Sequence, residues 1–123
     1  MITFDEFKKV EIKAGKILSV EKIPNTDKLL KLSVDFNEKK DIVSETGEKS
    51  LVPAPRQIVS GISMYFPDPA TLVGRTFMFV TNLEPRVIKG FESNGMLFAI
   101  SDGLGNFSML EPNASITPGT QAI

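Results

Sequence analysis

A chain of 123 residues carrying 14 Lys+Arg against 15 Asp+Glu, net charge −1, has the length of a single domain, 1–123, and can bury a core without disulfides or metal. Its 41% hydrophobic and 24% charged residues exclude disorder, and no apolar run approaches the roughly 20 residues of a spanning helix, so no membrane association is expected. With no Cys and no His, thiolate nucleophiles, imidazole bases, Ser-His-Asp triads and Cys- or His-based metal sites are all excluded.

The N-terminus is charged from Asp5 onward and carries no leader pattern, so a cytoplasmic address is expected. Thr3 and Glu6 have capping-box spacing, and Phe4 and Phe7 stand at i, i+3; the pattern predicts a short helix over 3–9, placed as a lid on one end of the fold. From Val10 the apolar residues alternate through Ile12 and Ala14. They then slip in parity at Ile17 before resuming at Leu18 and Val20, with Gly15 at the slip. That predicts a long strand bent by a bulge, the device by which a small barrel turns a corner. After a turn at Pro24, Asn25 and Asp27, Leu30, Leu32, Val34 and Phe36 alternate with polar residues as a half-buried strand.

Residues 37–55, NEKKDIVSETGEKSLVPAP, form a polar excursion read as a hairpin or loop. Their GEKS lacks the upstream glycine spacing of a phosphate-binding loop and reads as a plain turn. RQIVSGI (56–62) predicts a third strand. Asp68-Pro69 predicts a helix start, with Asp68 as N-cap, and Gly74 predicts its stop. TFMFV (76–80) and MLFAI (96–100) read as buried strands. DGLGN (102–106) closes a hairpin into FSML, and the remaining residues hold turns and one further short strand. About five main strands with a helix between the third and fourth predict an all-β, five-stranded Greek-key barrel of the oligonucleotide/oligosaccharide-binding (OB) kind. The carboxylates Asp27, Asp35 and Asp41 lack metal-loop spacing and no nucleophile has a visible base, so neither a catalytic residue nor a cofactor is expected.

Several stretches together carry a resemblance more specific than the fold. They are TFDEFKKVEIKAGKI, PNTDKLLKLSVD at 24–35, RQIVSGI at 56–62, LVGR at 72–75, NLEPRVIKGFESNGML at 82–97 and LEPNASITPG near the end. In this order and over nearly the whole chain, the sequence resembles the tRNA-binding domain family. That family includes the C-terminal domains of methionyl-tRNA synthetases, free-standing tRNA-binding proteins and proteins like endothelial-monocyte-activating polypeptide. The most specific block is Asn82, Pro85, Arg86, Gly90, Ser93, Gly95 and Met96.

The resemblance implies a homodimeric OB barrel that binds tRNA by shape and does no chemistry, either free-standing or with an aminoacyl-tRNA synthetase catalytic subunit as partner. By motif position it implies Asn82, Arg86, Ser93 and Met96 as RNA-contacting residues, joined by Lys28 and Lys16; Lys89 is added from its place in the loop. Arg86 can fork onto phosphate or stack on a base, the lysines offer point charges, Asn82 and Ser93 can bond phosphate, ribose or base edges, and Met96 offers a soft apolar surface. On the residues alone each has a second reading: backbone bonding for Asn82 and Ser93, core packing for Met96, solvated charge for Arg86 and Lys89, and ion pairing with Glu21 or Asp27 for Lys16 and Lys28. A chaperone-like or protein-interaction OB dimer is the alternative function.

Overall fold

The computed structural model, which describes residues 1–123, begins with a single helical turn, α1 (Phe4–Phe7). Thr3 Oγ1 accepts the Glu6 N–H at 3.1 Å, and Glu6 Oε1 accepts the Thr3 N–H at 3.2 Å, completing the predicted capping box. The predicted lid does not form. Phe4 remains 70% and Phe7 46% exposed, because the helix is a single turn with no buried residue, and its two rings line an open hollow with Val10, Ala122 and Ile123.

Eleven strands follow: β1 (Ile12–Lys22), β2 (Leu30–Asp35), β3 (Lys39–Val43), β4 (Lys49–Pro53), β5 (Arg56–Ser60), β6 (Thr76–Val80), β7 (Arg86–Ile88), β8 (Phe91–Ser93), β9 (Met96–Leu97), β10 (Ala99–Ser101) and β11 (Phe107–Met109). The main sheet has the order β5-β2-β1-β6-β9 with every pair antiparallel, and its two outer strands, β5 and β9, meet to all but close the barrel. Three two-stranded hairpins, β3–β4, β7–β8 and β10–β11, project from it.

The length of β1 explains the closure. Its first half pairs with β6 and its second half with β2, so one strand serves both walls and must bend between them. The bend is the predicted bulge: the register to β2 slips between Ile17 and Ser19, leaving Leu18 unpaired and 43% exposed. Gly15 lies three residues before the slip and has a different task. A Cβ there would stand 2.5 Å from Phe36 Cε1 and 2.6 Å from Val34 Cγ1, so the core side chains of β2 fill the space above this glycine. Gly15→Ala should therefore lower stability by about 1–3 kcal/mol through overpacking, read as an earlier midpoint in urea with an unchanged m-value.

The alternating strand at 30–36 behaves as its pattern predicts: Leu30, Leu32, Val34 and Phe36 are all buried. They meet Ile17, Ile58, Leu72, Phe77 and Phe79 in one cluster, where the Phe36 and Phe79 rings pack edge to face at 5.4 Å. Excursion 37–55 folds as the β3–β4 hairpin, and GEKS lies in its turn and returning strand.

Other segments depart from expectation. Between β5 and β6 the chain makes two 3-10 turns, Ser63–Tyr65 and Pro69–Leu72. Pro69 opens the second as predicted, but the Asp68 side chain does not cap it; the Asp68 carbonyl instead accepts the Thr71 N–H at 3.2 Å and the Thr71 hydroxyl at 2.8 Å. MLFAI is not one buried strand. It splits into β9 on the main sheet and β10 in a separate hairpin, and Met96, Phe98 and Ile100 are 47%, 37% and 56% exposed while Leu97 is buried. An apolar run at a sheet edge has a partner on one flank only, so composition overstates its burial. The C-terminal residues run beside the first half of β1, where β2 does not reach, with Ala14 N–H bonded to the Thr120 carbonyl at 2.8 Å and Ala122 N–H to the Ile12 carbonyl at 2.8 Å.

Candidate nucleic-acid interface

The segment 81–95 leaves β6 at Thr81 and returns to the sheet at Met96, folding on itself as the β7–β8 hairpin. Its reversal is a two-residue turn with Lys89 at φ +50° and Gly90 at φ +84°. Both central residues have positive φ, as a type I′ turn requires, and such a turn matches the twist of the strands it joins. Glycine adopts that geometry freely and lysine at a cost, so the turn holds an exposed cation at a position that favours Asn.

Ser93 anchors the hairpin to the barrel. Its hydroxyl is buried, accepts the Val59 N–H at 3.0 Å and donates to the Gly95 carbonyl at 3.1 Å. Gln57 adds two bonds from β5: its Nε2 donates to the Glu92 carbonyl at 3.0 Å, and its carbonyl accepts the Asn94 N–H at 2.8 Å. Asn82 clamps the other end, where its Oδ1 accepts the Glu11 N–H at 2.8 Å and its Nδ2 donates to the Lys9 carbonyl. The backbone-bonding reading of Asn82 and Ser93 therefore describes their side chains as they stand.

Arg86 sits opposite Ser93 in the hairpin register. With Ser93, Gly95, Met96 and Ile88 it frames a small hollow at the seam between β5 and β9, whose rim also holds Leu83 and Glu84. The state of its charge is distinctive. Of the arginines in the sequence, Arg56, Arg75 and Arg86, the first is forked onto Glu38 and the second onto Glu111. Arg86 has no ion pair at all and is exposed. Met96, 47% exposed, is a rim residue and not core.

The remaining cations are distributed more widely. Lys28 is exposed in the turn after β1, where its carbonyl accepts the Ser63 N–H at 2.9 Å. Lys16 stands on β1, opposite Asp35 on one side and Thr76 on the other, so it is two strands away from both β5 and β9 and outside the hollow. Neither lysine is ion-paired; Glu21 pairs with Lys31 at 3.1 Å instead.

Three residues that the sequence did not single out complete the surroundings. Lys31 lies over the ring of Phe91 at 4.8 Å and so couples the outer face of β2 to the hairpin. Arg56 donates through Nε and Nη2 to Glu38 Oε1 and Oε2 at 2.7 and 2.8 Å, which holds its guanidinium even more firmly protonated than usual. Glu11 accepts the Thr81 hydroxyl at 2.6 Å, which with Lys13 keeps its carboxyl below the usual carboxylate range. An Arg opening an apolar strand gives no sequence signal of an acceptor 18 residues earlier, because that pairing arises only when β5 aligns beside β2.

A nearly closed, five-stranded antiparallel barrel with a cationic hairpin at its seam defines an OB-type binding module. The family model described as "Putative tRNA binding domain" matches residues 12–121, and the chain belongs to the tRNA-binding domain family. It is 45% identical over 121 residues to a methionine–tRNA ligase of Methanoregula boonei, covering 98% of this chain and 15% of that enzyme. It is 36% identical over 118 residues to the corresponding ligase of Chloroherpeton thalassium, again covering 15% of it. Among solved structures, a MetRS-related protein from Pyrococcus horikoshii superposes with a TM-score of 0.82 at 34% identity, over 100% of this chain and 98% of that one. The CsaA chaperone of Picrophilus torridus, at a TM-score of 0.76 and 22% identity over the whole of both chains, shares the fold. The chain thus spans about 15% of the length of the curated ligases it matches, and no group of His, Cys, Asp and Glu side chains in it could hold a metal ion.

Proposed function

We propose that this module binds tRNA by shape through the seam of the barrel, with Arg86 as the principal phosphate ligand. Met96 offers an apolar surface to a sugar or base, Lys89 and Lys28 add flanking charge, and Asn82 and Ser93 hold the hairpin in place through the bonds of their side chains to backbone. Lys16 serves a separate stretch of backbone on the β1 face. The observation that carries this reading is the unpaired, exposed guanidinium of Arg86 in a chain whose other arginines are both neutralised. An unpaired Arg at a hollow lined by a backbone-anchored hairpin suits a polyanion, and a net charge of −1 confines the attraction to that patch. Similarity to methionine–tRNA ligases supports a place as the appended or associated tRNA-binding module of such a synthetase, raising the local concentration of tRNA, or as a free-standing protein.

The test is filter binding of bulk tRNA at two salt concentrations, with duplex RNA of equal length as competitor. Contact with about four to six phosphates gives a log–log salt slope of roughly −3 to −5. Saturable binding that the duplex fails to displace supports shape readout of folded tRNA; equal displacement by the duplex sinks it. Lys89→Asn offers a clean probe of charge, since Asn-Gly is the preferred type I′ pair. The variant should be as stable as the parent or up to about 1 kcal/mol more so by thermal melting, while its salt slope is smaller by about 0.7–0.9.

We also propose a homodimer built from the terminal segments. Phe4, Phe7, Val10, Ala122 and Ile123 line one exposed apolar hollow, and a two-fold axis there would bury both copies at once and present two cationic seams to one tRNA. Sedimentation showing only a 13.5 kDa species at micromolar concentration overturns this arrangement.

A further inference from the structure

We propose that Arg56 is the positioning residue of the tRNA site, setting the pose of Arg86 through the backbone without touching the ligand; this rests on the reading of the seam given above. The segment that carries Arg86 has two ends, and one guanidinium holds both. Arg56 Nη1 donates to the Thr81 carbonyl at 2.6 Å, where the chain leaves β6, and to the Asn94 carbonyl at 3.3 Å, just before it rejoins the sheet. The other face of the fork is closed by Glu38, the residue immediately before β3, and the plane lies 5.4 Å from the Phe36 ring centroid.

This arrangement matters because the hairpin is held at its base, by Asn82 at one end and by Ser93 and Gln57 at the other, and not by its own ladder. Each of its strands is three residues long, and a two-stranded hairpin is marginal in isolation. Its place comes from its base: Ser93 and Gln57 tie one leg to β5, and Arg56 ties the two ends of the segment to each other. A planar fork can meet a carboxylate and a pair of carbonyls together, whereas the ammonium of lysine is a point donor on a flexible stem and cannot keep that geometry. Four hydrogen bonds within the protein occupy the Arg56 fork and its charge is offset by Glu38, so it adds nothing to the count of phosphates neutralised. Its contribution lies in presenting Arg86 ordered before the ligand arrives, which removes part of the entropy cost of binding.

Two conservative variants test this. In Arg56→Lys, amides 86–93 of the free protein should exchange faster with solvent while those of β2 stay protected. The affinity for bulk tRNA should fall about tenfold with the salt slope unchanged, because the lost term is ordering and not a phosphate contact. Glu38→Gln, which keeps the shape of the acceptor but weakens its hold on the fork, should lower affinity several-fold in the same direction. If Arg56 were itself a phosphate ligand held back by Glu38, Glu38→Gln would bind tRNA more tightly and Arg56→Lys would keep most of its affinity; either result overturns the inference. A looser hairpin with undiminished tRNA affinity overturns it as well. Failure of the parent protein to bind tRNA removes the reading of the seam and this consequence together, whereas a binding parent and an equally tight Arg56→Lys remove this inference alone.

Discussion

Arg86→Ala should weaken binding to all tRNAs by about 10- to 100-fold, the range that loss of one charge-assisted hydrogen-bonding group produces. The guanidinium has no partner in the free protein, so its removal leaves no buried group unsatisfied and costs the fold little. The loss should therefore appear in binding alone, with the melting temperature within a degree or two of the parent. The salt slope should fall by about 0.7–0.9, one phosphate's worth of counterion release. Uniformity across tRNAs is the more demanding part of this expectation. Shape readout by backbone contact ignores the anticodon, and a defect confined to one tRNA would place Arg86 on a base edge instead. Binding of several purified tRNAs at matched salt decides between these outcomes.

The second large effect lies in the core. Phe36→Ala should cost about 3–5 kcal/mol, equivalent to a fall in melting temperature of roughly 12–20 °C for a domain of this size. Phe36 is buried, packs edge to face on Phe79, fills the space above Gly15 and lies beside the guanidinium of Arg56. Removing the ring opens a cavity and withdraws the apolar side of the Arg56 clamp together. Since natural domains of this kind are stable by only about 5–15 kcal/mol, the variant will show an increased population of unfolded chain at physiological temperature. Calorimetric unfolding, checked for reversibility, measures the loss; a change below about 1 kcal/mol would mean that the neighbouring side chains collapse into the gap and that the packing described for this corner of the barrel is not rigid.

The division between what was legible and what was not follows the range of the interactions involved. Periodicity is a local property, and where one face of a strand is buried along its whole length the sequence states it: Leu30, Leu32, Val34 and Phe36 alternated, and all are buried. The capping box of Thr3 and Glu6 was readable for the same reason, since both partners lie within one turn. MLFAI misled because apolar composition does not say whether a strand has neighbours on both flanks, and here the segment divides between two sheets. The bulge was foreseen from the parity slip, yet it falls at Ile17–Ser19, while Gly15 is required by a clash with residues on the next strand that no local pattern records.

The candidate site divides in the same way. The sequence by itself determined the family, the absence of thiol and imidazole chemistry and the block of residues at the seam, because residue identity and motif order are carried along the chain. Only the tertiary structure decided which cations are free. Lys31 pairs with Glu21, Arg75 with Glu111 and Arg56 with Glu38, while Arg86, Lys89, Lys28 and Lys16 have no ion pair. Charge pairing depends on distances of a few ångströms between residues tens of positions apart, and strand register sets those distances.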